Sequence, residues 1–224
     1  MVDASSDRSA GQAADGVPER FRDADRTRAE ILDVATTEFS EQGYAGARVD
    51  EIAAKTRTTK RMIYYYFRSK ENLYLAALER AYAVIRESER ELDVQDLGPK
   101  EALRRLAELT FDHHESHPDF IRLVTIENIH GARHIAGSEM LPGLANPALE
   151  VLTEILRRGR AEGEFRTDVD ALDVHMMISA FCVFRTANRH TFKTIFDRDM
   201  LDPKHRDHYR TMLGDMVLDY LTSR

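Results

Sequence analysis

Between Arg57 and Lys70 the chain places five cationic side chains, Arg57, Lys60, Arg61, Arg68 and Lys70, with no aspartate or glutamate among them. Three consecutive tyrosines, Tyr64, Tyr65 and Tyr66, lie inside the same stretch. Cations at this density neutralise phosphates. An arginine or lysine also pairs with guanine O6 and N7 in a major groove, each such pair discriminating by about 1–3 kcal/mol. A tyrosine adds an apolar ring and a hydroxyl that bonds phosphate. Taken alone, the run reads equally well as a solvated helix face. Its spacing against neighbouring elements has to decide.

A second group is His113, His114 and His117. On a helix His113 and His117 are four residues apart and face one side, which suits two ligands of a metal ion. A third and fourth ligand must come from elsewhere, with Asp112, Glu115 and His175 as candidates. A packed or solvated histidine cluster needs no such partners and is the simpler reading. The metal reading carries an alternative function, a helical metal-binding protein or enzyme. Against it, the sequence holds no G-x-S-x-G, no H-E-x-x-H, no phosphate-binding glycine loop and no dinucleotide fingerprint. The expectation is a protein that is not an enzyme, with no cofactor and no metal.

A third group combines Asn128, His130, Arg133 and His134 with Met177, Phe181, Phe184 and Arg185. The methionine and phenylalanines suit an apolar cavity, and the polar members would orient an anionic or polar group. These eight are the expected contacts of a small molecule, whose identity the sequence leaves open.

Positioning these groups falls to helices. Ile31, Leu32, Ala35 and Phe39 keep the i, i+4, i+8 spacing of one helical face over Arg22 to Gln42, and Gly43 suits a C-cap. Val49 to Lys55 and Thr59 to Phe67 read as two short helices, with Thr58 or Thr59 capping the second. Ser69 caps a fourth helix that reaches Leu92. Further helices are expected over Lys100–Ser116, Asp119–Ile129, Pro147–Glu162, Ala171–Thr191 and Lys204–Leu221. An irregular connection, rich in glycine and proline, fills 131–147. No segment joins strand alternation to hairpin turn chemistry. The fold class is all-α with some nine helices. It divides into a disordered tail at 1–20, a three-helix head at 21–68 and a helical body at 69–224.

Bulk properties agree. Hydrophobic residues are 42% of the 224, and the formal net charge is −7. That charge is unevenly spread. Residues 20–70 hold eleven lysines and arginines against eight acids, while 71–224 hold twenty against twenty-seven. A basic head on an acidic body favours site-specific phosphate binding over indiscriminate adhesion. Cys182 is the single cysteine, so no intrachain disulfide can form. No apolar run suggests a membrane helix, and the first twenty residues lack the pattern of a signal peptide. The expected location is cytoplasmic, with no membrane partner.

The connector Thr56-Arg57-Thr58 has the length of a helix-turn-helix turn, which makes the helix opening at Thr59 the recognition helix. The strings Gly43-Tyr44-Ala45-Gly46, Ile52-Ala53-Ala54 and Lys60-Arg61-Met62-Ile63-Tyr64-Tyr65-Tyr66-Phe67-Arg68-Ser69-Lys70-Glu71-Asn72-Leu73-Tyr74 together resemble the TetR family of regulators. The resemblance covers residues 26–75. It implies that 21–68 is a DNA-binding head with a helix-turn-helix and that 69–224 is a helical effector-binding and dimerisation body: a homodimer on a palindromic double-stranded operator, released when an effector in the body alters the separation of the heads. It also implies roles. Lys60 and Arg61 stand where the family contacts bases or nearby backbone, with Thr59 at the same helix start. Tyr65, Tyr66 and Lys70 match phosphate-contacting positions, and Arg48 replaces a phosphate-contacting threonine. Tyr64 and Phe67 match core positions. Two departures matter. Arg57 stands where the family's turn has glycine, so the turn must differ or Arg57 must take a left-handed conformation at a cost. Arg61 replaces a small residue, so base preference cannot be transferred. Activation instead of repression remains open at this level.

Overall fold

The computed structural model describes residues 19–141 and 146–222. They form ten α-helices and one short 3-10 turn, with no strand among the described residues. The all-α expectation holds, with ten helices in place of nine. The tail expected at 1–20 lies outside the described residues except for its last two, which open the first helix. Residues 142–145 of the expected irregular connection also lie outside them.

Helix α1 (Glu19–Gly46) buries Ile31, Ala35 and Phe39 completely, as their spacing requires. At Gly43 the chain turns with φ of 68°, a left-handed angle that a side chain would strain. Helices α2 (Val49–Lys55) and α3 (Lys60–Phe67) follow. Thr59 Oγ1 accepts the Met62 N–H at 3.2 Å, and Ser69 Oγ accepts the Asn72 N–H at 3.0 Å. Each cap contributes about 1 kcal/mol to the helix it opens. Ile52 and Ala53 of α2, Ile63 and Phe67 of α3, and Leu73, Tyr74 and Leu78 of α4 (Lys70–Arg90) close over α1. Leu123 of α6 (Pro118–Ile129) belongs to the same core. The head is therefore seated on α4 and α6.

The body core is built from α5 (Pro99–Ser116), α7 (Asn146–Ala161), α8 (Ala171–Ala187) and α10 (Pro203–Thr222). Leu103, Phe111, Ile155, Ile178, Leu213 and Val217 meet there fully buried. Gly159 lets the Phe165 ring lie against α7; a Cβ would stand 2.0 Å from that ring.

One expectation needs correction. The helix expected over Ala171–Thr191 breaks at Asn188, and a separate helix α9 (Arg189–Phe196) follows. Arg189 fixes the break by pairing with both Asp199 oxygens at 2.9 and 2.8 Å, which ties the start of α9 to the loop before α10. On α8, Met176 and Phe184 are 63% and 51% exposed.

Arg57 adopts φ of 53° in the turn between α2 and α3. A residue with a Cβ pays about 1–2 kcal/mol for this region. Arg57→Gly is expected to stabilise the fold by about 1 kcal/mol, raising the melting midpoint by about 2–4 °C. A lower midpoint in a thermal denaturation would contradict the strain.

Candidate nucleic-acid interface

The start of α3 presents Thr59, Lys60 and Arg61 to solvent, with Arg57 and Arg68 exposed on either side of the helix. Arg57, Arg61 and Arg68 make no ion pair with any described residue. Lys60 Nζ lies 3.1 Å from Asp50 Oδ1, and the Arg48 guanidinium lies 4.0 Å from Asp50 Oδ2. One carboxylate in the first turn of α2 thus sits between two cations of the same face. Sequence reading did not single out Asp50, because it stands ten residues before Lys60 on a different helix. The Thr59 hydroxyl oxygen is committed to the cap, which leaves its proton free to donate.

The three tyrosines separate by helical angle. Ile63 and Phe67, four residues apart, take the inward face. Tyr64, expected to be core, is turned away from that face and is 37% exposed. Tyr65 is 75% exposed, and its ring meets Tyr66 edge-on at 5.4 Å. Tyr66 is half-buried and packs against Phe67.

Lys70 opens α4 half-buried. Its Nζ stands 5.0 Å from the centre of the Tyr44 ring and 3.5 Å from the Ala45 carbonyl oxygen. Burial holds its pKa below the usual lysine value. Behind Tyr44 the packing passes into the body. The Tyr44 ring lies 5.3 Å from Tyr74 and 4.6 Å from His134. Glu127, 1% exposed, accepts the backbone N–H groups of His134 and Ile135 at 2.7 and 3.2 Å. Its second oxygen lies 3.0 Å from His134 Nδ1. Burial pushes the Glu127 carboxyl up, but these hydrogen bonds outweigh it, and the net pKa is below the usual carboxylate range. The buried Tyr74 hydroxyl has no hydrogen-bond partner among the described residues, and burial, with the Glu127 charge, pushes it up. Further side-chain hydrogen bonds and ion pairs join head to body or α4, among them Arg80 to the Ala29 carbonyl at 2.9 Å. Thr37 and Ser40 hydroxyls donate to Asp119 at 3.2 and 2.9 Å, and Arg80 pairs with Asp33 at 2.5 Å.

The eight expected effector contacts do not form one group. Asn128, His130 and Arg133 are exposed at the end of α6, while His134 is buried in the contact just described. Met177, Phe181 and Phe184 line an open apolar groove of about 540 Å³ between α8, α9 and α10, together with Met176, Met212 and Met216. Arg185 is buried at its edge. It pairs with Glu115 at 2.5 Å, donates to the Met200 carbonyl at 3.0 Å and lies 3.8 Å over the Phe111 ring. Of the histidine cluster, His113 and His117 stack at 4.1 Å. His114 Nδ1 and His117 Nδ1 lie 2.8 and 3.0 Å from the carbonyl oxygens of Thr110 and His113. Among the described residues no three histidine, cysteine or acidic side chains are placed to hold a metal ion, so the metal-enzyme alternative gains no support. No helix among them is long and apolar enough to cross a membrane.

A short helix-turn-helix carrying a cationic face on a larger helical body defines a DNA-binding regulator. Comparison with known proteins agrees. Residues 31–77 match the family of bacterial regulatory proteins typified by TetR, and residues 99–217 match a tetracycline-repressor-like C-terminal domain. The repressor NicS of Pseudomonas putida is 36% identical over 199 residues, which are 89% of this chain and 94% of NicS. The repressor SCO4008 of Streptomyces coelicolor is 32% identical over 108 residues, 48% of this chain and 53% of its own length. The crystal structure of SCO4942 from Streptomyces coelicolor superposes with a TM-score of 0.66 at 29% identity, covering 88% of this chain and 99% of that one. The chain belongs to the TetR family of DNA-binding transcriptional regulators.

Asp50 neutralises part of the cationic face in the free protein. Asp50→Ala is expected to tighten binding to any duplex by about two- to fivefold, since exposed ion pairs are worth about 0.2–1 kcal/mol each. Fluorescence anisotropy with a labelled duplex measures this; weaker binding would show that Asp50 orients Lys60 and Arg48 instead.

Proposed function

We propose that the protein is a homodimeric repressor that binds a palindromic operator through α3 and is released by a small-molecule effector. The observation that carries the reading is the exposed, acid-free start of α3, with Lys60 and Arg61 aimed outward beside a cap at Thr59. Lys60 and Arg61 read base edges. Arg48, Thr59, Tyr65, Tyr66 and Lys70 hold phosphates on either side. Repression is supported by the likeness to NicS over most of both chains.

The second copy occupies the apolar face of α8 and α10. Met176, Phe184, Met212 and Met216 are each more than a third exposed there. A two-fold contact buries this patch, which a lone chain would leave in water. Met177, Phe181 and Phe184 accordingly serve the contact between copies before they serve an effector. His134, whose ring touches Tyr44, is the residue through which an effector in the body reaches Lys70. Asn128, His130 and Arg133 flank it, and Arg185, with its Nε unpartnered among the described residues, remains a polar candidate within the body.

Lys70→Ala is expected to weaken binding to every duplex and to reduce the salt slope of the binding constant by about 1. Arg61→Ala is expected to flatten preference at one or two base pairs, by about 1–3 kcal/mol each. Titrations against operator variants at several salt concentrations distinguish the two; indifference to both substitutions would remove α3 from the interface. Met216→Asp is expected to convert the dimer to a monomer in sedimentation velocity. It should weaken operator binding by about a hundredfold or more, because the two heads lose their linkage. A Met216→Asp dimer that binds normally would place the two-fold contact elsewhere.

A further inference from the structure

Inside the body, α4, α5 and α8 close around a polar cluster that the head does not use. Arg86 of α4 is 9% exposed and Glu89, one turn on, is 2% exposed. Arg86 Nη1 donates to both Glu89 oxygens, at 2.8 and 2.6 Å. His113 and His114 of α5 are each 6% exposed, and His175 of α8 is half-buried. Two nitrogens in this cluster are left over. Arg86 Nε, a donor, and His113 Nε2 are buried with no hydrogen-bond partner among the described residues. Buried nitrogens without partners are rare and unfavourable, and a bound group that completes their bonding accounts for them.

The donors and acceptors of the cluster point to the kind of group. Arg86 occupies the Glu89 carboxylate, so no acidic oxygen is left for a cation. Burial, then the neighbouring imidazoles and Arg86, push His113 down to about 3. Burial pushes His114 down to about 4, against its bond to Thr110 and aided by the charges of His175 and Arg86. Burial and Arg86 lower His175. Burial is the first cause at all three rings, and the Arg86 charge only adds to it. A carboxylate accepts from Arg86 Nε, the charged donor that the pair with Glu89 leaves unused. Ile85, Phe120 and Ile121 form an adjoining apolar cluster with Tyr82 and Leu109 packed on it, which suits a hydrocarbon body on the anion.

There is a route in. A groove of about 400 Å³ lies between α1, α4 and the corner joining α5 to α6, and His117 and Phe120 line it. His117 stacks on His113. The Phe120 ring lies 5.9 Å from His113, 5.6 Å from His114 and 5.1 Å from Tyr82. These two rings stand between the groove and the cluster. Phe120 is also next in sequence to Asp119, which holds Thr37 and Ser40 of α1.

We propose that Arg86, His113, His114 and His175 form the binding site for a small organic carboxylate, which enters from the groove by displacing Phe120. That this carboxylate acts as the effector rests on the reading given above; the site itself does not.

The test is calorimetric titration of the full-length protein with benzoate and hexanoate, each beside its uncharged amide, benzamide and hexanamide. At least one carboxylate is expected to saturate one site per chain and to bind at least tenfold tighter than its amide. His113→Phe keeps the ring and the stack but removes Nε2, and Arg86→Met combined with Glu89→Met removes the ion pair as a unit. Each is expected to weaken the carboxylate at least tenfold with the helical circular dichroism unchanged. Equal affinity for acid and amide, no saturation by either acid at millimolar concentration, or unchanged binding in both variants would overturn the site. Repeating the titration on the operator complex separates the two readings. Carboxylate binding that leaves the operator bound supports the site and overturns its effector role.

Discussion

Glu127 is a carboxylate buried in the seam between head and body, and the placement of the head depends on what it holds. A buried charge survives only when its lone pairs are filled. Here they are filled by the backbone of His134 and Ile135 and by the His134 ring. Those bonds fold the chain after α6 back onto α1 and α4. They press His134 against Tyr44 and Tyr74, and the Tyr44 ring in turn carries Lys70. A cationic side chain of the head is thereby supported through two rings by an acid of the body. The shared core makes the same connection in apolar terms, since Leu123 of α6 packs among residues of α1 to α4.

The rest of the head follows from this seating. Fixed on α4 and α6, α1 supplies the floor for α2 and α3, and α3 is left with one buried face and one free one. The free face is cationic on a chain whose formal net charge is −7. Asp50 moderates it at short range through Arg48 and Lys60. The acidic body moderates it at longer range, which disfavours non-specific adhesion and leaves base contacts to set the preference.

Much of this was legible in the sequence where the cause is local. The caps at Thr59 and Ser69, the turn at Gly43 and the inward face of Ile31, Ala35 and Phe39 each depend on residues within a turn or two of one another. At Arg57 the resemblance, which puts a glycine there, left two outcomes open, a different turn or a left-handed residue, and the left-handed angle is the one found. What was hidden depends on distant partners. The break at Asn188 carries no glycine or proline, and the apolar pattern runs on through Phe192; it is fixed by Asp199 in a later loop. Arg185 read as a free polar group because Glu115 lies 70 residues away. Tyr64 read as core from the family position it matches, whereas Ile63 and Phe67 take the inward face and leave it 37% exposed. Glu127 itself carries no sequence signal, since its partners are backbone groups.

The central claim is that α3 reads a particular DNA sequence. The most direct measurement is binding of the purified protein to DNA from upstream of its own gene and neighbouring genes, at two salt concentrations, with an unrelated duplex as competitor. The account predicts selective, salt-sensitive binding centred on one palindrome, with two chains per site. Equal, weak binding to every fragment, together with a selection from random DNA that recovers no motif, would contradict it.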